Sequence, residues 1–252
     1  MSASFTEEAL QEYAAYNILD ANVRVGPSGV HGVLALEAHA LLEEMDRFAI
    51  ARAVVSHFTA EEYDPVRGNI ALQRNANTRF VSAWCACPDA IGLEDLKLRR
   101  PKVVRLWFSA HRHNFSPAAW CAGEMLDYLQ QNEVLTLISR EEIDWPSLVD
   151  LLRDFPRLRV LLLDIGYRSD RYLFPLLRQY PNLFFDSATY VAHRQLEAFV
   201  ESFGAERIVF GSRLPLYTPG AALAVLASAR IPDSARLAIS GGTLRRLLGE
   251  SS

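Results

Sequence analysis

Residues 18–26 read Ile-Leu-Asp-Ala-Asn-Val-Arg-Val-Gly, and the rest of the chain can be placed around them. Two apolar residues come first, then polar and apolar side chains alternate, and Gly26-Pro27 closes the run. Alternation of period two that ends in a turn signal predicts a buried strand.

Working outward, the same kind of run recurs down the chain. Ala53 to His57, Phe80 to Cys85, Lys102 to Phe108, Val134 to Ser139, Arg159 to Asp164, Asn182 to Asp186 and Arg207 to Gly211 are short and rich in Val, Ile, Leu and Phe. Segments with helical spacing separate them. These are Leu34 to Phe48, Pro65 to Asn77, Ala90 to Leu98, Pro117 to Gln131, Trp145 to Phe155, Asp170 to Tyr180 and Val191 to Phe203, with Pro219 to Ala229 and Thr243 to Leu248 closing the chain. Pro117 suits the first turn of its helix, Asp144 a cap and Gly204 a left-handed stop. Strands buried on both faces, each followed by a helix, imply parallel pairing. Eight such units predict a TIM (β/α)8 barrel, which takes about 250 residues. A doubly wound open sheet is the rival on pattern alone. With no internal repeat, low-complexity tract or long linker, residues 1–252 read as one domain.

The chain resembles the amidohydrolase superfamily, in its amidohydrolase-related branch. Leu42 to Ile50 followed by Ala53-Val54-Val55 is similar to that family's "leemdrfgId…avv" segment. Asn77 to Val81 is similar to its "n-x-RFv", Arg207 to Pro215 to its "RilfGSDfP", and Gly241 to Leu248 to its closing "g-g-N-a-x-RLL". The first strand corresponds to the family's D-x-H-x-H-x-G, whose histidines bind a catalytic metal at the barrel mouth. Here those positions hold Asn22 and Arg24. A guanidinium has no lone pair to give a cation and repels it. The Asp of "GSDfP", which implies a metal ligand and base, is Arg213 here. The histidine that ends strand five in the family is replaced by Ser139 or Arg140, and that of strand six by Asp164. One carboxylate is a poor metal site. The expectation is therefore no metal and no cofactor.

Active sites of barrels lie at the C-terminal ends of the strands. The residues expected there are Asn22, Arg24, His57, Ser139, Arg140, Asp164, Asp186 and Arg213, with Trp107 and Tyr167 as aromatic walls. Two readings compete. In one, Arg24, Arg213, Asp164 and Asp186 form an internal ion-pair network filling the space of a lost metal. In the other, Arg24 and Arg213 clamp a small anion such as a carboxylate, with Asp164 as general base and His57 as acid/base partner. His57 also has the plainer reading of a hydrogen-bonded rim residue. His111 and His113 read as a surface-loop pair, and His31, His39 and His193 carry no motif. Cys85 and Cys87 share a strand face, but with only Cys121 besides them a four-cysteine zinc site is excluded.

The expected function is a non-catalytic or small-anion-binding homologue. The alternative is a metal-independent hydrolase acting on a lactone or similar activated carbonyl. A metal-dependent hydrolase or decarboxylase comes last. The net charge of −4 without a basic block argues against nucleic acid. No apolar run approaches a membrane span, and Met1 to Tyr13 lacks a signal core. Three cysteines fit a reducing compartment, so a cytoplasmic location is expected. A homo-oligomer is allowed by the sequence but not specified.

Overall fold

The computed structural model describes residues 11, 13–30 and 35–250. His31 and Leu34 lie outside them.

The strands are β1 (Ile18–Pro27), β2 (Ala35–Leu36), β3 (Ile50–His57), β4 (Phe80–Cys85), β5 (Val103–Leu106), β6 (Leu135–Ser139), β7 (Arg159–Leu163), β8 (Leu183–Asp186) and β9 (Ile208–Val209). They form one sheet in the order β2-β1-β3-β4-β5-β6-β7-β8-β9. β2 is a short antiparallel flap on Gly26 and Pro27. The other eight strands pair in parallel throughout. The segment after β9 then returns to β1. The Ala21 N–H donates to the Phe210 carbonyl and the Arg24 N–H to that of Leu214, each at 2.9 Å. This closes the sheet into a TIM barrel and removes the open-sheet alternative.

Helices follow the strands: α1 (Ala38–Arg47), α2 (Phe58–Glu62), α3 (Pro65–Arg74), α4 (Ala90–Arg99), α5 (Ala119–Gln131), α6 (Trp145–Asp154), α7 (Asp170–Gln179), α8 (Gln195–Phe203), α9 (Pro219–Ser228), α10 (Asp233–Leu237) and α11 (Thr243–Leu247). Asp64, Asp89 and Asp144 cap α3, α4 and α6 by accepting backbone N–H bonds, each cap contributing roughly 0.5–2 kcal/mol. Several boundaries differ from the sequence reading. The first helix begins at Ala38, because Ala35 and Leu36 pair with β1. Pro117 precedes α5 rather than entering it. Residues 191–194 are outside α8, whose entry residue Arg194 is left-handed at φ 56°. The short α2 and α10 and a π-helical turn at Ala238–Gly242 carry too few residues for periodicity to reveal them. Among the described residues no helix is long and apolar enough to cross a membrane.

Two apolar layers hold the barrel. Between strands and helices lies the larger one, including Ile18, Leu41, Met45, Val55, Leu126, Leu151, Phe185 and Phe199. Inside the barrel, Leu19, Ala21, Val54, Ala83, Val103, Leu137, Leu161, Phe184 and Val209 pack together, with Leu244, Leu247 and Leu248 beneath them. Fully burying each Leu or Phe stabilises by about 1.5–3 kcal/mol. The apolar interior stops partway up, and the residues nearest the C-terminal strand ends are polar.

Candidate functional site

Strand parity puts the polar side chains in the mouth, with one irregularity that matters. On β1, Leu19 and Ala21 belong to the inner apolar cluster while Val23 and Val25 belong to the outer one. The pairing with β3 slips between these pairs: Asp20 opposes Ala53, whereas Val23 opposes Val55. A residue inserted in this way is a β-bulge, and it reverses which side chains face inward. Because of it, Asn22 and Arg24 point into the barrel above Leu19 and Ala21. Ser56, Arg105, Ser139 and Asp186 lie two positions beyond the inner residues Val54, Val103, Leu137 and Phe184, on the same face of their strands.

Asn22 is the hub. Its Nδ2 donates to Asp164 Oδ1 and to Asp186 Oδ2, both at 3.0 Å, and its Oδ1 accepts from Arg105 Nη1 at 3.2 Å. The amide thus separates two carboxylates from a guanidinium, using its donor and acceptor ends in the only sensible sense. Asp186 also accepts from the Asp164 N–H at 2.9 Å. Gly211 leaves room for it, since a Cβ there would come within 2.4 Å of Asp186 Oδ2. Burial, then the charge of Asp164, pushes the Asp186 pKa well above the usual carboxylate range.

Arg24 is 1% exposed. Its Nε donates to Glu61 Oε2 at 2.8 Å, and its Nη2 lies 4.0 Å from Asp164 Oδ2. Burial alone would lower the Arg24 pKa, but Glu61 and Asp164 outweigh it and the net shift is upward. Arg112, from the loop after β5, reaches both Glu61 (3.4 Å) and Glu62 (3.7 Å). Glu62 in turn accepts from Ser28 Oγ at 2.6 Å and the Gly29 N–H at 2.8 Å. Three guanidiniums surround the Trp107 ring: Arg105 at 4.6 Å, Arg112 at 5.4 Å and Arg24 at 5.5 Å. Cations over an indole face are attracted by its quadrupole, so Trp107 offsets some of their mutual repulsion.

Asp164 and Arg213 meet at the rim, with Arg213 Nε 3.4 Å from Asp164 Oδ1. Both adopt left-handed backbone, at φ 57° and 61°. For residues with a Cβ this costs about 1–3 kcal/mol each, and such strain concentrates at functional sites. Arg213 keeps 16% of its side chain exposed. It lies over the Tyr217 ring at 5.2 Å and 3.4 Å from Glu141. Below the rim, Asp20 accepts N–H bonds from Asn22 and Ser212, both at 3.0 Å and both through Oδ1. Burial raises its pKa to about 6.

Of the residues expected at the mouth, the structure brings together Asn22, Arg24, Ser139, Asp164, Asp186, Arg213 and Trp107. Ser139 Oγ accepts from Arg105 at 3.1 Å and lies 3.4 Å from Asp164 Oδ2. His57 is elsewhere. Its ring covers Gly26, where a Cβ would come within 2.3 Å of it, and its Nδ1 accepts the Thr59 N–H at 3.1 Å. It caps α2, the helix that carries Glu61 and Glu62, and burial lowers its pKa. Arg140 bonds the Ile143 carbonyl and stacks on Trp145 at 4.5 Å, away from the cluster. Tyr167 is exposed and lies under Arg168. His111 is exposed as expected, but His113 turns inward, with Nδ1 3.8 Å from Cys85 Sγ. Sequence reasoning missed Arg105, Glu61, Glu62, Arg112 and Asp20. Arg105 had a signal, being the one charged residue inside the apolar run Val103–Phe108.

The donor set does not suit a divalent metal. Among the described residues no group of three or more His, Cys, Asp or Glu side chains converges, and Arg24 and Arg105 occupy the middle of the cluster. In contrast, the site has guanidinium to spare. Among the described residues, Arg24 Nη1, Arg105 Nε, Arg112 Nη1 and Arg213 Nε are buried atoms without a hydrogen bond, although Arg112 Nη1 lies 3.7 Å from Glu62 and Arg213 Nε 3.4 Å from Asp164.

Residues 25–250 match the model of a family described as Amidohydrolase. The match opens one residue after Arg24. No curated protein matches the sequence. Among solved structures, the fold is similar to an uncharacterized TIM-barrel protein from Bordetella bronchiseptica (TM-score 0.73, 15% identity, 92% of this chain and 98% of that one). It is also similar to 5-carboxyvanillate decarboxylase from Sphingomonas paucimobilis (0.70, 12%, 94% and 100%). A candidate 2-pyrone-4,6-dicarboxylic acid hydrolase from Pseudomonas putida is a third (0.70, 16%, 93% and 98%). At these identities the likeness is one of fold.

Proposed function

The chain belongs to the amidohydrolase family, and from that premise we propose that its barrel mouth recognises a small carboxylate by guanidinium groups instead of a metal ion. One observation carries this reading: among the described residues, buried guanidinium nitrogens of Arg24 and Arg105 have no hydrogen-bond partner, and in the same cluster those of Arg112 and Arg213 only face carboxylates at 3.7 and 3.4 Å without a hydrogen bond. A buried donor without a partner costs about 1–3 kcal/mol, and more when charged. A carboxylate can accept several such bonds, and its planar geometry suits a guanidinium. Arg213, the most exposed of the four, is the first contact for a ligand arriving from solvent. Arg24 is held by Glu61 and Asp164, so it supplies field more than direct grip.

The decarboxylase and pyrone hydrolase that share the fold are named for carboxylated substrates, which supports the ligand class. The pyrone hydrolase name also favours a second reading, metal-independent opening of a lactone. Arginines can stabilise a developing oxyanion, but they do not generate hydroxide at neutral pH. Water would need a carboxylate base, and Asp164 is already turned towards Asn22, Ser139 and Arg213. Only activated carbonyls are expected to react.

The test is a thermal-shift screen of mono- and dicarboxylates, followed by lactone hydrolysis with and without EDTA. The expected result is saturable stabilisation by at least one carboxylate, as mass action requires, and its loss in Arg213→Gln. Any turnover should be unaffected by EDTA. A flat screen, or turnover abolished by the chelator, defeats the proposal.

A further inference from the structure

The geometry points to Arg105 as a resident cation: its guanidinium fills the place that a divalent ion would need at the barrel mouth, so the barrel carries its own counter-charge and excludes a metal. This does not rest on the carboxylate reading, since a barrel that bound no ligand would still contain it.

Arg105 enters from the middle of β5 and is 1% exposed. Its Nη1 lies 3.2 Å from Asn22 Oδ1 and 3.3 Å from Ser56 Oγ, and its Nη2 lies 3.1 Å from Ser139 Oγ. Three neutral oxygens from β1, β3 and β6 therefore converge on one guanidinium. Asp164 and Asp186 lie behind Asn22 and Ser139, close enough for their charge to act on Arg105. Hard divalent cations take oxygen ligands, carboxylates foremost, whereas the oxygens gathered here hold the Arg105 guanidinium. Such an ion would sit about 2.0–2.6 Å from each oxygen, inside the volume the guanidinium occupies. It would also meet Arg24 and Arg105, both positive. Trp107 covers the guanidinium face at 4.6 Å, so Arg105 is braced on its polar edge and on its face. Burial and the neighbouring Arg24 charge push its pKa down only to about 10, which keeps it charged at neutral pH.

Arg105→Met keeps the bulk and removes the charge, whereas Arg105→Lys keeps the charge. Each would be titrated with Mn²⁺ alone by calorimetry, next to the native protein, with elemental analysis after dialysis. The native and Lys forms should show no stoichiometric uptake. The Met form should bind Mn²⁺ roughly ten-fold or more tightly than the native protein, because a buried like charge has gone. Adding Asp164→Asn to the Met form should reverse the gain. If Arg105→Met fails to fold, Arg105→Gln retains polar contacts to Asn22 and Ser139 and carries the same titration. A native protein that takes up one Mn²⁺ per chain, or a neutral variant no better than native, overturns the inference.

Discussion

The lower and upper halves of the barrel interior are made by the same strands but held by different physics. Below, Leu19, Val54, Val103, Leu137, Leu161 and Phe184 fill the space with apolar side chains. Above, Asn22, Arg24, Arg105, Asp164 and Asp186 fill it with compensated charge. The lower half gains from being removed from water. The upper half loses hydration and recovers it only where partners match, so it is stable as a set and fragile in its parts. That division is what a fold with separate stability and function faces should show.

The largest expected effect breaks the upper half. Arg24→Ala leaves Glu61 and Asp164 facing a gap, and a buried pair broken from one side costs about 3–5 kcal/mol. Denaturant unfolding should show that loss, and Glu61→Ala on top of it should add much less than its own single effect, because the two act as one unit. Independent, additive losses would mean that the charges do not form a network.

A cut in the lower half should look different. Leu161→Ala removes a fully buried side chain and should cost about 2–5 kcal/mol through lost transfer and the cavity left behind. Its effect should add to that of Arg24→Ala if the halves are independent. Coupling beyond about 0.5 kcal/mol would erase the distinction.

The smallest effect sharpens the comparison through pH. The folded protein holds the Asp20 proton more tightly than the unfolded chain, with its pKa raised to about 6. Stability from this group is therefore full below about pH 4 and is lost as pH rises through about 6. Asp20→Asn mimics the protonated acid, and its Oδ1 can still accept from Asn22 and Ser212. It should match the native protein near pH 4 and exceed it by about 2–3 kcal/mol near pH 8. A difference that does not vary with pH would show that Asp20 is not titrating in the fold.

The lower half was the legible half. Runs such as Arg159 to Leu163 declare a buried strand by composition, and eight of them with intervening helices leave few topologies. Landmark stretches such as Arg207 to Pro215 mark the family as well. The upper half was legible in membership, since Asn22, Arg24, Asp164, Asp186 and Arg213 were all picked out, but not in pairing. The sequence offers Arg24 both as half of a clamp with Arg213 and as part of an ion-pair network with Asp164; Asp164 lies 4.0 Å away, but the closest partner is Glu61 at 2.8 Å. Glu61 belongs to a five-residue helix with no period to read, and Arg112 to a loop. Arg105 was hidden by its neighbours, because a strand that is otherwise apolar suggests only burial. His57 was misplaced by one residue of parity: Ser56 faces Arg105 inside the barrel, which sends the imidazole to the other side of β3.

The bulge between Asp20 and Val23 bears on how such a chain can change over time. A substitution in β1 has a graded effect, set by what one side chain touches. Loss of Ala21 there would remove the bulge and restore plain alternation, with Asp20 still opposite Ala53 and Val23 still opposite Val55. Asn22 and Arg24 would keep facing inward, on the side of Val54 and Ser56. The bulge is thus a place where the first strand can lose one residue without moving the barrel mouth, whereas a length change beyond Val23 has no such slack and shifts Arg24 off Ser56.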